Sequence, residues 1–171
     1  MNTPRRPHEH YDHFSPEDIR KVIKKDTTMI VPMVMLELVR EKGFGVEDIY
    51  GMNPFQEEDF YGIKCKGIPA YNIGKPFHPR SNNWLSYLVE LDGTTYYAMG
   101  DTDVTDEAKA TEADVVFVPI GGKYTMDATE AAEFINAKQP SLVVLIHYAD
   151  VTVCETFKNL ISKDQKCEVF W

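Results

Sequence analysis

The sequence predicts an α/β protein in which helices cover a mixed sheet, and three observations carry that reading. Short, β-branched apolar runs alternate with capped helical segments along the chain. An Asp92-Gly93 pair sits between two strand-like runs, the strongest short signal for a β-hairpin inside the alternation. The length of 171 residues, with 43% hydrophobic and 26% charged residues, suits one globular domain with a real core. No internal repeat, low-complexity tract or Gly/Ser linker divides the chain, so residues 1–171 are read as a single domain.

The elements follow in order. Ser15-Pro16-Glu17-Asp18 opens a helix, with a serine cap, proline at the first helical position and acids in the first turn. Ile19, Val22 and Ile23 supply its apolar spacing. Residues 28–31 form a short strand; Pro32 then opens a second helix with Val34, Met35, Leu38 and Val39 on one face and Gly43 as its stop. Residues 56–72 read as extended but irregular, and residues 84–91 and 94–99 as the two arms of the hairpin. Residues 115–120 form an apolar strand ending in Gly121-Gly122. Asp127 and Glu130 make a capping box for a helix that runs to about Lys138, before Pro140. A buried strand over residues 142–146, a helix over about 154–161 and a last strand over 167–170 complete the order.

Charge narrows the function. The net charge of −9 disfavours nucleic acid and anionic membrane surfaces as partners, and no Lys/Arg run offsets it. The longest apolar runs fall far short of a membrane span. The first seven residues carry two arginines but lead into no apolar stretch, so no secretory signal is expected. Cys65, Cys154 and Cys167 are too widely spaced for a metal knuckle and read as reduced thiols, which points to the cytoplasm.

The densest chemistry is at the start. His8, His10 and His13 share one six-residue segment, His8-Glu9-His10-Tyr11-Asp12-His13. In an extended segment His8 and His10 project to the same side and can grip one ion, while Asp12 and His13 can reach a second. Imidazole nitrogen with carboxylate oxygen suits Zn²⁺ and related first-row ions. A solvated His-rich stretch or a tag remnant is the alternative. The mixed composition and the capped helix that follows argue against it. Three further groups fall at strand ends or in loops: His78 in Pro76-Phe77-His78-Pro79, Asp101 after an apolar strand and Gly100, and His147 directly after residues 142–146. Singly, Asp101 reads as a turn residue and His147 as a core histidine. Jointly they assign every histidine of the chain to one site.

This pattern resembles the metallo-β-lactamase fold superfamily, and within it the small metal-dependent hydrolases that include the ascorbate-phosphate lactonases. The resemblance rests on His-x-His-x-Asp-His, the lone His78, Gly100-Asp101-Thr102 after a strand, Val118-Pro119-Ile120-Gly121-Gly122-Lys123-Tyr124, and Ile146-His147-Tyr148. It implies an αββα sandwich and a dinuclear site. His8, His10 and His78 would hold one ion, Asp12, His13 and His147 the other, and Asp101 would bridge them. The ions implied are two divalent metals, zinc first, with manganese or iron as alternatives. The reaction implied is hydrolysis of a small-molecule lactone, ester, thioester or phosphodiester by activated water, whose nucleophile Asp12 would orient and deprotonate.

One departure qualifies the resemblance. In the family several strands precede the histidine motif, whereas here only residues 1–7 do. One sheet is therefore expected to be incomplete at the N-terminus, through a late start, a truncation, or completion by another copy or a second chain. Arg80, Lys123 and Tyr124, with Asn82, are candidate substrate contacts by charge type and position; Glu9 and Tyr11 alternate with the ligands and point away from them. Two other readings stay open at this point: a non-catalytic, truncated relative that binds metal or a partner, and a phosphodiesterase acting on nucleic acid, which the acidic balance weakens.

Overall fold

The computed structural model describes residues 13–170, which fall into two compact units divided between Met52 and Asn53. His8, His10 and Asp12 lie outside the described residues.

In the first unit, helix α1 (Pro16–Val22) starts where the sequence places it, with Ser15 accepting from the Asp18 amide at 3.3 Å. Strand β1 (Thr28–Pro32) pairs in parallel with β2 (Asp48–Met52), from Thr28 opposite Asp48 to Pro32 opposite Met52. The second helix departs from expectation. Pro32 leads into a 3-10 turn, Met33–Met35, and the α-helix α2 (Leu36–Lys42) begins only at Leu36. A 3-10 turn has three residues per turn, which rotates Val34 off the apolar stripe and leaves it 50% exposed. Gly43 ends α2 in the left-handed region at φ 60°, where a glycine carries no Cβ penalty. Phe14, Val31, Val39 and Phe44 form the core of this unit, with Phe14 edge-on to Phe44 at 6.0 Å.

The second unit is built on a seven-stranded sheet in simple sequence order: β3 (Glu57–Phe60), β4 (Ile63–Pro69), β5 (Leu85–Leu91), β6 (Thr94–Ala98), β7 (Val115–Pro119), β8 (Leu142–Ile146) and β9 (Cys167–Val169). The stretch read as irregular is thus a hairpin, β3–β4. The first four strands are antiparallel and the last four, from β6, are parallel. Antiparallel neighbours need only tight turns: Asp92 and Gly93 both have positive φ, 51° and 77°, as the hairpin turn between β5 and β6 demands. Parallel neighbours need crossovers. These are helices α3 (Asp106–Ala110), α4 (Ala128–Lys138) and α5 (Val151–Leu160). The capping box forms as read, with Asp127 accepting from the Glu130 amide and Glu130 from the Asp127 amide, both at 2.9 Å.

Strand alternation decides the core. Val116, Val118 and Ile120 of the β7 segment and Val143 and Leu145 of β8 pack in one cluster with Ala131, Ala132, Phe134 and Ile135 of α4 and Cys154 and Phe157 of α5. All three cysteines are free thiols, and burial pushes Cys65 up to about 11. Among the described residues no helix is long and apolar enough to cross a membrane.

Candidate metal centre

Strands β4, β6, β7 and β8 run in the same direction, so the loops that follow them gather at one edge of the sheet. Three of the expected ligands are there. His78 comes from the loop after β4, Asp101 from the turn after β6, and His147 from the residue after β8. This is the carboxyl-terminal edge, where open α/β sheets place their ligands.

His78 Nε2 stands 3.2 Å from Asp101 Oδ2, and His147 Nε2 stands 3.4 Å from Asp101 Oδ1. Each imidazole therefore addresses a different oxygen of one carboxylate. The side chains of His78 and Asp101 are 2% and 7% exposed, so the charge of Asp101 acts with little solvent screening. Both histidines sit in the left-handed region, His78 at φ 47° and His147 at φ 48°. Such a backbone costs a non-glycine residue about 1 kcal/mol or more, and it collects where a side chain must be aimed.

Close approach aims His147 further. Gly121, after β7, lies so near that a Cβ there would meet the His147 carbonyl oxygen at 2.6 Å and its Nδ1 at 2.9 Å. Its amide donates to Thr125 Oγ1 at 3.1 Å, which closes the turn that leads toward α4. His78 is aimed by hydrogen bonds: its Nδ1 is 2.7 Å from Asn72 Oδ1, and the Asn72 amide donates to its carbonyl at 2.9 Å. Trp84 packs on its ring at 5.1 Å.

The candidate substrate contacts fare differently. Tyr124 reaches the centre, edge-on to His78 at 6.3 Å and to Phe77 at 4.7 Å. Lys123 lays its ammonium 4.9 Å over the Tyr124 ring. Arg80 is engaged elsewhere: it bonds Glu107 Oε1 at 2.6 Å and stacks 5.0 Å over Tyr71, whose hydroxyl donates to Glu107 Oε2 at 2.7 Å. Burial alone would raise the Glu107 carboxyl, but the Tyr71 hydroxyl, the backbone and Arg80 hold it below the usual range. A lowered carboxyl contributes stability above its unfolded pKa and loses it as pH falls through the folded value. Glu107→Gln should accordingly flatten the acid limb of the melting temperature against pH below about pH 4.5. An unchanged acid limb would refute that role. His13 belongs to the first unit, where it precedes Phe14 and the Ser15 cap.

Sequence reading missed Asn72, Lys75 and Asp103. Asp103 lies in the motif Gly100-Asp101-Thr102-Asp103, yet only its burial, at 5% exposure, separates it from an ordinary turn residue. The donor set itself fits a divalent ion of the zinc type: two imidazole nitrogens flanking a buried carboxylate.

Comparison with known proteins agrees with that chemistry. Residues 7–147 match the family described as the beta-lactamase superfamily domain. A UPF0173 metal-dependent hydrolase of Pyrococcus furiosus is 32% identical over 174 residues, which cover 93% of this chain and 73% of that protein. One from Staphylococcus aureus is 31% identical over 178 residues, covering 91% and 73%. Among solved structures, a candidate metal-dependent hydrolase of Parabacteroides distasonis superposes with a TM-score of 0.77 at 26% identity, over 95% of this chain and 72% of that one. The metallo-beta-lactamase fold protein YhfI of Bacillus subtilis superposes at 0.71 with 10% identity, over 95% and 72%, a likeness of fold alone.

Proposed function

Because the chain belongs to the metallo-β-lactamase superfamily and is a metal-dependent hydrolase, we propose that residues 1–171 act as one domain with a dinuclear centre that cleaves a lactone, ester or phosphodiester of a small molecule. The observation that carries the proposal is the placement of His78 Nε2 and His147 Nε2 on opposite oxygens of Asp101. A carboxylate addressed in this way suits a bridge between two ions, whereas one ion would draw both imidazoles toward a single point. His8, His10 and His78 would hold the first ion, Asp12, His13 and His147 the second, and zinc is the first candidate, with manganese or iron behind it.

Divalent ions bound by these residues would supply Lewis acidity and lower the pKa of water toward neutrality. The chain supplies the rest. Asp101 holds its two imidazoles apart and keeps negative charge at the middle of the site. Asp12 orients the attacking water and accepts its proton. Tyr124 walls the His78 side of the centre, and Lys123, riding on its ring, balances negative charge that develops on a substrate oxygen. Arg80 meets an anionic substrate group only by exchanging Glu107 for it. Three free thiols support a cytoplasmic location, since an oxidising compartment favours disulfides.

Chelation is the first test. Exhaustive removal of metal should abolish hydrolysis of lactone, ester and phosphodiester probes, and zinc added back to two equivalents should restore it. Hydrolysis that survives complete demetallation would contradict the proposal.

A further inference from the structure

We propose that Lys75, Asp103 and Asn72 form a hydrogen-bonded relay whose role is to present His78 to metal through Nε2. The inference rests on the metal-centre reading above and adds to it three residues that are not themselves ligands.

The relay is built from three segments. Asn72 and His78 are brought together by their own loop, which the bond from the Asn72 amide to the His78 carbonyl closes at 2.9 Å. Asn72 Nδ2 donates to Asp103 Oδ1 at 3.0 Å. Asp103 also accepts from the Ile73 amide on Oδ2 at 2.7 Å and from Lys75 Nζ on Oδ1 at 2.6 Å. Lys75 Nζ donates in turn to the Thr125 carbonyl at 2.6 Å, which anchors the relay to the turn that carries Gly121.

Donor and acceptor chemistry sets the direction. An ionised carboxylate only accepts, so Asp103 requires the NH₂ end of Asn72. The Asn72 oxygen must then face His78, at 2.7 Å from Nδ1. An amide oxygen only accepts, so Nδ1 must carry the proton, and in the neutral imidazole that a metal requires Nε2 then keeps its lone pair. Nε2 is the nitrogen that points to Asp101, at 3.2 Å. The tautomer of a putting-metal-on-Nε2 imidazole is thus written into a carboxylate two residues beyond Asp101. Outer partners of this kind commonly raise metal affinity about 10–100-fold.

The ion pair that ends the relay fits a positioning role better than a stabilising one. The Lys75 and Asp103 side chains are 24% and 8% exposed, so both lose hydration to meet. Buried pairs of this type add little net stability, yet removing one partner strands the other. What the pair does provide is orientation, because Lys75 neutralises Asp103 and leaves it a pure acceptor toward Asn72.

The experiment compares zinc affinity, by chelator competition, in the wild type and Asp103→Asn, together with the imidazole ¹H–¹⁵N spectrum of the zinc-loaded wild type. The expected spectrum shows His78 protonated at Nδ1 and metallated at Nε2. Asp103→Asn lets Asn72 turn either end toward His78, and zinc should bind about 10–100-fold more weakly. Lys75→Met should weaken binding in the same direction while Lys75→Arg restores it, a rescue that a purely structural lysine would not show in affinity. A folded Asp103→Asn with wild-type affinity overturns the relay, as does a zinc-loaded wild type protonated at Nε2 of His78. If Asp103→Asn does not fold, equal affinities of Lys75→Met and Lys75→Arg overturn it instead. A folded wild type that takes up no zinc fails the metal-centre reading itself and the relay with it, a result distinct from the variant comparisons.

Discussion

Asp101→Asn should lower hydrolysis by at least about 100-fold, since even residues one shell further out cost 10–100-fold in metal sites. The change is nearly isosteric, so packing around a side chain only 7% exposed is kept. What changes is the number of acceptors. A carboxylate offers an oxygen to each side, and here one oxygen faces His78 and the other His147. An asparagine offers oxygen to one side and an NH₂ donor to the other. The side that meets the NH₂ group loses its ligand, so metal content should fall from two ions to one or none along with activity. Kinetics and elemental analysis on the same preparation check both statements. Wild-type turnover with two ions retained would mean that Asp101 bridges nothing.

Gly121→Ala should give the second largest loss, although it replaces none of the proposed ligands. The new Cβ would stand 2.6 Å from the His147 carbonyl oxygen and 2.9 Å from Nδ1, distances that real Cβ atoms do not show. The oxygen is backbone and cannot swing away, so His147 must shift by several tenths of an ångström or more. Misplacement on the order of 1 Å in a catalytic constellation costs about 100-fold in rate. Overpacking at one position costs about 1–3 kcal/mol, so the protein should stay folded with a melting temperature lowered by several degrees. The signature is therefore a large drop in kcat/KM beside a modest drop in stability. The reverse pattern, a large loss of stability with activity per folded molecule intact, would show that His147 does not depend on this contact.

The two predictions mark where sequence ends and structure begins. Residue types and their positions after strands or in loops single out His78, Asp101 and His147, and the sheet brings all three to one edge. Local chemistry was enough for the Asp92-Gly93 hairpin and for the α4 capping box, because both are signals within four residues. Elements that depend on distant partners were missed. Strand β2 contains Gly51 and no alternation, and it is a strand only because β1 pairs with it. Helix α3 has five residues, too few to show a periodic stripe, and is held by the Thr105 cap. Helix α5 begins three residues before the expected start because Asp150 caps it by accepting from the Thr152 amide. At the site the same distinction holds. The Gly121–His147 approach joins two loops, and Asn72 and Lys75 meet Asp103 across separations of 31 and 28 residues. Arg80 reads as a lone cation in the sequence, while Glu107, 27 residues on, already holds it.

Metal stoichiometry of the folded wild type, measured by native mass spectrometry after equilibration with zinc and removal of loosely bound ions, tests the central claim most directly. A carboxylate placed between His78 and His147, one on each oxygen, predicts two ions per chain. A folded chain that holds a single ion, or none, would contradict the dinuclear centre.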